Sequence, residues 1–259
     1  MQFDQMRRRE FITLLGGAAA AWPVAARAQQ GERIRRIGVL IGGAESDQQP
    51  RGNLQAFKGA MQELGWIEGR NIQVDYRFAA SDVGRIERFA RELVNSQPDL
   101  IVAHTTPVTT AIARETRTIP IVFVVVSDPV GSGFVASLAR PGGNMTGFVN
   151  IEASMCGKWL EFLKEVSPAL ARVAFIYNPQ TAPHAYYLGP FEATARSFGL
   201  QPMPSPVHSA DDIEAVFKDL GERPGSGLAV MPDVFTGTAQ VYDLIISLAA
   251  RHRIPAIYP

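Results

Sequence analysis

The chain alternates two hydrophobic periods, and it does so twice. Residues 37–41 (Ile-Gly-Val-Leu-Ile) form a short apolar run of the length of a buried strand. Residues 53–64 follow with Leu54, Phe57, Met61 and Leu64 at helical spacing, and Gly65 stands where a helix end wants a left-handed residue. Residues 72–78 alternate apolar and polar side chains, as a strand does. Ser81-Asp82 can cap a helix whose apolar face is Ile86, Phe89, Ala90, Leu93 and Val94. A strand over 100–103, a short helix over 108–115 and a buried strand over 119–126 complete the first series. Such a β-α-β series predicts a parallel sheet with helices on both faces.

The Pro141-Gly142-Gly143 turn interrupts the rhythm, which places a domain crossover near residues 144–152. The alternation then restarts. Helices are expected over 158–166, 186–198, 213–220 and 240–251, with Ser209-Ala210-Asp211-Asp212 capping the third. Strands are expected over 173–177, 227–231 and 254–258, with a Pro-rich edge strand near 201–207. The fold class is therefore α/β, with two Rossmann-like lobes of parallel strands joined by a hinge. The first lobe spans residues 33–148 and the second 149–259.

Residues 1–28 do not fit either lobe. Arg7-Arg8-Arg9 precede an apolar run that contains Pro23 and ends at Ala26-Arg27-Ala28. A basic head, an apolar stretch and an Ala-x-Ala site are the layout of a cleaved export signal, and Arg8-Arg9 gives it a twin-arginine character. The alternative is a buried helix or a start-site artefact. An export signal implies cleavage near Ala28 and a periplasmic product without stable membrane insertion. The formal charge of the whole chain is zero. Residues 1–28 hold Arg7, Arg8, Arg9 and Arg27 against Asp4 and Glu10, so the remainder carries about −2, which argues against a nucleic-acid partner.

Catalytic signatures are missing. Residues 38–43 (Gly-Val-Leu-Ile-Gly-Gly) do not make a dinucleotide fingerprint, and there is no P-loop or nucleophile elbow. His104, His184, His208 and His252 lack metal-ligand spacing. The single cysteine, Cys156, rules out an internal disulfide and a two-thiol racemase, and reads best as a small buried hydrophobe. No cofactor or metal is called for, and no enzyme activity is expected.

In open α/β sheets, ligands bind beyond the carboxyl ends of the strands. The candidates are therefore the polar residues just after each strand: Gly43, Thr105, Thr106, Ser127 and Asp128 in the first lobe, and Tyr177, Asn178, Asp233 and Thr236 in the second. Thr105 and Thr106 open a helix whose free N–H groups favour a carboxylate. Asp128 or Asp233 could hold an ammonium, and Tyr177 or Phe235 could stack on an apolar group. Each also has a local use: Thr106 as a cap, Asp128 as a turn residue, Tyr177 as core.

Three stretches carry a family resemblance: Arg7-Arg8-Arg9-Glu10-Phe11, the run from Ile119 through Ser127-Asp128-Pro129-Val130-Gly131 to Val135, and Pro141-Gly142-Gly143-Asn144-Met145-Thr146-Gly147. The chain resembles the substrate-binding proteins of ABC importers, in the branch that includes binders of aromatic amino acids. The resemblance implies a type I-like binding-protein fold and an amino-acid-like or small carboxylate ligand in the interlobe cleft. It further implies a monomer whose partners are ABC permease subunits. A periplasmic sensory module serving a membrane receptor is the alternative. The family pattern also implies a return stretch from the second lobe to the first, so the end at Pro259 reads as a truncation.

Overall fold

The computed structural model describes residues 33–258. The export-signal reading of residues 1–28 lies outside them. Two parallel sheets account for all the strands described.

The first sheet has the order β2-β1-β3-β4-β5. It is built from β1 (Arg35–Ile41), β2 (Ile72–Phe78), β3 (Leu100–His104), β4 (Ile121–Val126) and β5 (Met145–Val149). Helices α1 (Gln48–Glu63), α2 (Val83–Asn95) and α3 (Thr106–Glu115) provide the first three crossovers. One face packs Leu40, Ile101, Ala103, Ile121 and Phe123 against Ile86, Ala90 and Leu93 of α2 and Val108, Ala111 and Ile112 of α3. The other face sets Ile37, Val39 and Ile41 against Phe57 and Met61 of α1.

The second sheet has the order β7-β6-β8-β9. Its strands are β6 (Arg172–Tyr177), β7 (Gln201–Pro206), β8 (Ser226–Val230) and β9 (Ala256–Ile257). On one face, Val173, Phe175 and Ala229 pack against α4 (Met155–Val166) and α5 (His184–Ser197). On the other, Ala174, Ile176, Leu228 and Val230 pack against α6 (Ala210–Gly221) and α7 (Ala239–His252). The Pro-rich β7 lies at the sheet edge, where missing N–H donors do least harm.

Local signals explain most element ends. Asp82 accepts a hydrogen bond from the Arg85 N–H and starts α2. Ser209 and Asp212 close a reciprocal capping box at α6. Gly65 adopts φ +82 after α1, in the left-handed conformation that glycine allows freely. Three expectations need correction. Helix α1 begins at Gln48, not near residue 53, because Pro50 falls in its first turn, where a missing N–H is harmless. The segment read as a crossover includes β5, which pairs with β4 in parallel register, Ile121 opposite Met145. The chain crosses between the sheets only after Val149. Strand β9 is limited to Ala256–Ile257, where it pairs with Leu228 and Ala229.

Candidate functional site in the interlobe cleft

The carboxyl ends of the two sheets face each other. In the first lobe the loops after β1, β2, β3 and β4 form one wall. Gly42 and Gly43 leave β1, and their carbonyls accept from the N–H groups of Ser81 and Ala80 at 2.7 and 3.0 Å. A side chain at Gly43 would collide with Pro50 and crowd the Asp47 carboxylate, so this close approach requires glycine. Asp47, a buried acid, holds the turn by accepting from the Ala44 N–H at 2.8 Å.

Thr105 and Thr106 sit between β3 and α3. Thr105 has φ +88 and ψ 157, a conformation costly for a β-branched residue. It is buried, and its hydroxyl has no hydrogen-bond partner. Thr106 accepts from the Ser127 N–H at 3.1 Å, which ties the end of β3 to the end of β4. His104, in register with Ile41 and Val124, has both ring nitrogens buried without partners. Burial holds its pKa down to about 4, so the ring is neutral.

The second wall comes from the loops after β6 and β8. Asp233 accepts from the Asn178 N–H at 3.1 Å and the Phe235 N–H at 3.2 Å. The residue keeps some surface, but protein atoms crowd its carboxyl group, and that burial raises its pKa to about 6. The backbone hydrogen bonds pull in the opposite direction without winning. Thr236 donates to the carbonyl of Met231 at 3.1 Å. Thr181 is buried. Its hydroxyl neighbours the Asp233 carboxyl, favouring the charged form, but stops short of a well-formed hydrogen bond.

Among the described residues, two side-chain hydrogen bonds join the walls. Ser81 Oγ donates to the Val234 carbonyl at 2.9 Å, 153 residues away in sequence. Ser127 Oγ meets the Tyr187 hydroxyl at 2.9 Å. Between the walls lies a cavity of about 200 Å³. Thr106, Thr110 and Arg114 of α3 line it from one side, and Gln180 and Thr181 from the other. Val83, Ile86 and Ala111 make an apolar floor. The arrangement can bind a small molecule that has both an apolar part and hydrogen-bond acceptors.

The nine residues singled out from sequence all lie on these walls, but in different roles. Thr105 and Thr106 stand at the cleft, and Gly43 shapes the adjoining turn. Ser127 spends its hydroxyl on Tyr187 of α5, Asn178 Oδ1 accepts from the Gln180 N–H and Thr236 donates to Met231, the last two within their own loops. Asp128 accepts from the Gly131 N–H at 2.8 Å, a local turn bond. Tyr177 is buried and stacks on His184 with centroids 5.5 Å apart, so its ring already has a partner. Phe235 packs against the second lobe's α6–α7 core. Sequence reasoning missed Ser81 as an interlobe donor, and it missed Thr181, Tyr187 and Arg114. Ser81 was legible only as part of a cap signal, and Tyr187 only as one more aromatic in a helix. Cys156 is fully buried with its thiol pushed up to about 12 by burial, as a small hydrophobe would be.

Comparison with known proteins gives a consistent set. A family model described as ABC transporter substrate binding protein matches residues 46–259. The tyrosine-binding protein of Clostridioides difficile (strain R20291) is 35% identical over 127 residues, 48% of this chain and 35% of that protein. The match thus spans about a third of that relative's length. Among solved structures, a conserved domain protein from Vibrio cholerae O1 biovar El Tor superposes with a TM-score of 0.78 at 23% identity. The ABC domain from Streptococcus pneumonia in complex with L-Trp gives 0.77 at 20%. Each superposition covers 87% of this chain and 74% of the other, and at these identities it establishes the fold. Among the described residues no helix is long and apolar enough to cross a membrane.

Proposed function

The chain belongs to the ABC transporter substrate-binding protein family, and on that premise we propose that it captures an amino-acid-like or small carboxylate ligand between its lobes and delivers it to a membrane permease of an importer from the periplasm. One observation carries this reading. Each lobe presents a buried threonine hydroxyl that makes no well-formed hydrogen bond, Thr105 on one wall and Thr181, beside the Asp233 carboxyl, on the other. A buried, unpaired hydroxyl is costly unless a ligand satisfies it. Thr105 adds backbone strain, which is typically retained at functional positions. The N-terminus of α3 contributes partial positive charge beside Thr106, where a carboxylate is favoured.

The relatives' names suggest which ligands to try first: tyrosine and tryptophan. A thermal-shift screen of these should raise the melting temperature with at least one. Thr105→Val and Thr181→Val keep the side-chain shape and remove the hydroxyl. Thr105→Val should leave the ligand-free protein as stable as before, and each variant should weaken binding by about tenfold, the effect of roughly 1–2 kcal/mol for one lost hydrogen bond. Unchanged affinity in both variants would place the ligand elsewhere.

A further inference from the structure

Between the end of β5 at Val149 and the start of α4 at Met155, the chain passes from the first sheet to the second. The start of this crossover is held by the first lobe, since the Asn150 N–H donates to the Val126 carbonyl at 2.9 Å. Its next residue is held by the second lobe. The Tyr187 hydroxyl, on α5, donates to the Ile151 carbonyl at 2.7 Å. The same hydroxyl is 2.9 Å from Ser127 Oγ, at the end of β4. A phenol has one proton, and Ile151 takes it, so Ser127 must be the donor in the second bond. The result is a directed chain, Ser127 to Tyr187 to Ile151, that joins the first lobe, the second lobe and the crossover at one atom.

The ring of Tyr187 is fully buried. It packs at 6.3 Å from Trp159 of α4 and its hydroxyl reaches out of the second-lobe core to the crossover. A tyrosine needed only for packing would be served by phenylalanine. We propose that Tyr187 is a positioning residue for ligand capture: its hydroxyl is the pin that sets the angle between the two lobes. The bond to Ile151 turns with the second lobe, while the bond to Ser127 reaches into the first. Rotation of the lobes about the crossover must therefore break Ser127–Tyr187. The Ser81–Val234 bond joins the lobes directly, whereas Tyr187 acts beside the crossover through Ile151. Burial pushes the Tyr187 pKa up to about 12, so the donor stays protonated across ordinary pH.

The test needs no ligand. Nitroxide labels at Gln55→Cys on α1 and Glu214→Cys on α6 report the interlobe distance in the full chain by pulsed electron spin resonance. Both positions are exposed, and the native Cys156 is buried and escapes labelling. The parent should give one dominant distance. Tyr187→Phe should raise the population at a second distance about tenfold, the effect of one or two net hydrogen bonds. Ser127→Ala should shift it in the same direction by a smaller factor, since Tyr187–Ile151 survives. A parent-like distribution in a folded Tyr187→Phe variant, even with a lower melting temperature, would reduce Tyr187 to a core residue and overturn the proposal. If Tyr187→Phe does not fold, Ser127→Ala decides alone, and an unchanged distribution there overturns it equally.

Discussion

Both sheets are parallel, but they are covered differently. In the second lobe β8 is buried along its whole length, because α4 and α5 cover one face and α6 and α7 the other. In the first lobe α2 and α3 cover one face, while α1 covers only the β1–β2 side of the other. On that half-covered face Val122 and Val124 of β4 are half-buried, and Phe148 of β5 is 72% exposed. Among the described residues no helix packs over them. The difference shows that a strand's apolar content reports how much it could bury, whereas the helices placed against it decide how much it does.

The largest expected effect lies in the fully covered lobe. Phe175 is buried and stacked on Phe191 with centroids 4.2 Å apart. Phe175→Ala should cost about 3–5 kcal/mol in chemical denaturation, the range for emptying a tight aromatic site. A loss under about 1 kcal/mol would mean that this core is looser than its burial indicates.

Asp233 gives the next effect. Its pKa is raised from an ordinary 3.8 to about 6 by burial. The folded protein therefore binds the proton more tightly than the unfolded chain. Asp233 contributes stability that is fully present below the unfolded pKa and lost as pH rises through about 6. Between pH 4 and 7 the loss should be about 2–3 kcal/mol relative to Asp233→Asn, which has no such slope. Denaturation midpoints of both proteins across that range would show it. Parallel curves would mean that the backbone bonds from Asn178 and Phe235 outweigh desolvation.

Smaller still is the capping box of α6, one of the helices that complete the second lobe's cover. Ser209→Ala should cost about 1 kcal/mol. Comparable stability in that variant would show that packing of Ile213 and Phe217 holds the helix without its cap. The smallest effect belongs to the half-covered face. Phe148→Ser should change stability by under about 0.5 kcal/mol, as surface substitutions do. It should also reduce self-association in sedimentation, because exposed apolar patches promote it. A large destabilisation would show that the face is covered in solution after all.

Much of the fold was legible in the sequence for one physical reason. A buried parallel strand must be apolar and a helix beside it must be amphipathic, so period and order survive in the residues themselves. The run at 119–126, Ile-Pro-Ile-Val-Phe-Val-Val-Val, was readable as a strand, but not as a strand with one face half-covered. Strand β5 was hidden because Met-Thr-Gly-Phe-Val follows a Pro-Gly-Gly turn and is too short to show a period. For the site, the rule that ligands bind beyond the carboxyl ends of the strands led to polar residues that the structure sets on loops lining one interlobe cleft.

What the sequence determined was therefore the order of elements, β5 excepted, and the set of residues at the strand ends, since both follow from chemistry within a few neighbours. Tertiary structure alone decided which of those polar groups were already used. The local Asp128–Gly131 turn bond was legible from sequence, but Asp233 satisfies Asn178 across 55 residues. Ser127 meets Tyr187 across 60, and the hydroxyls of Thr105 and Thr181 make no well-formed hydrogen bond. A hydrogen bond needs its partners within about 3.2 Å, and between segments this far apart only the packing of both lobes brings them to that distance.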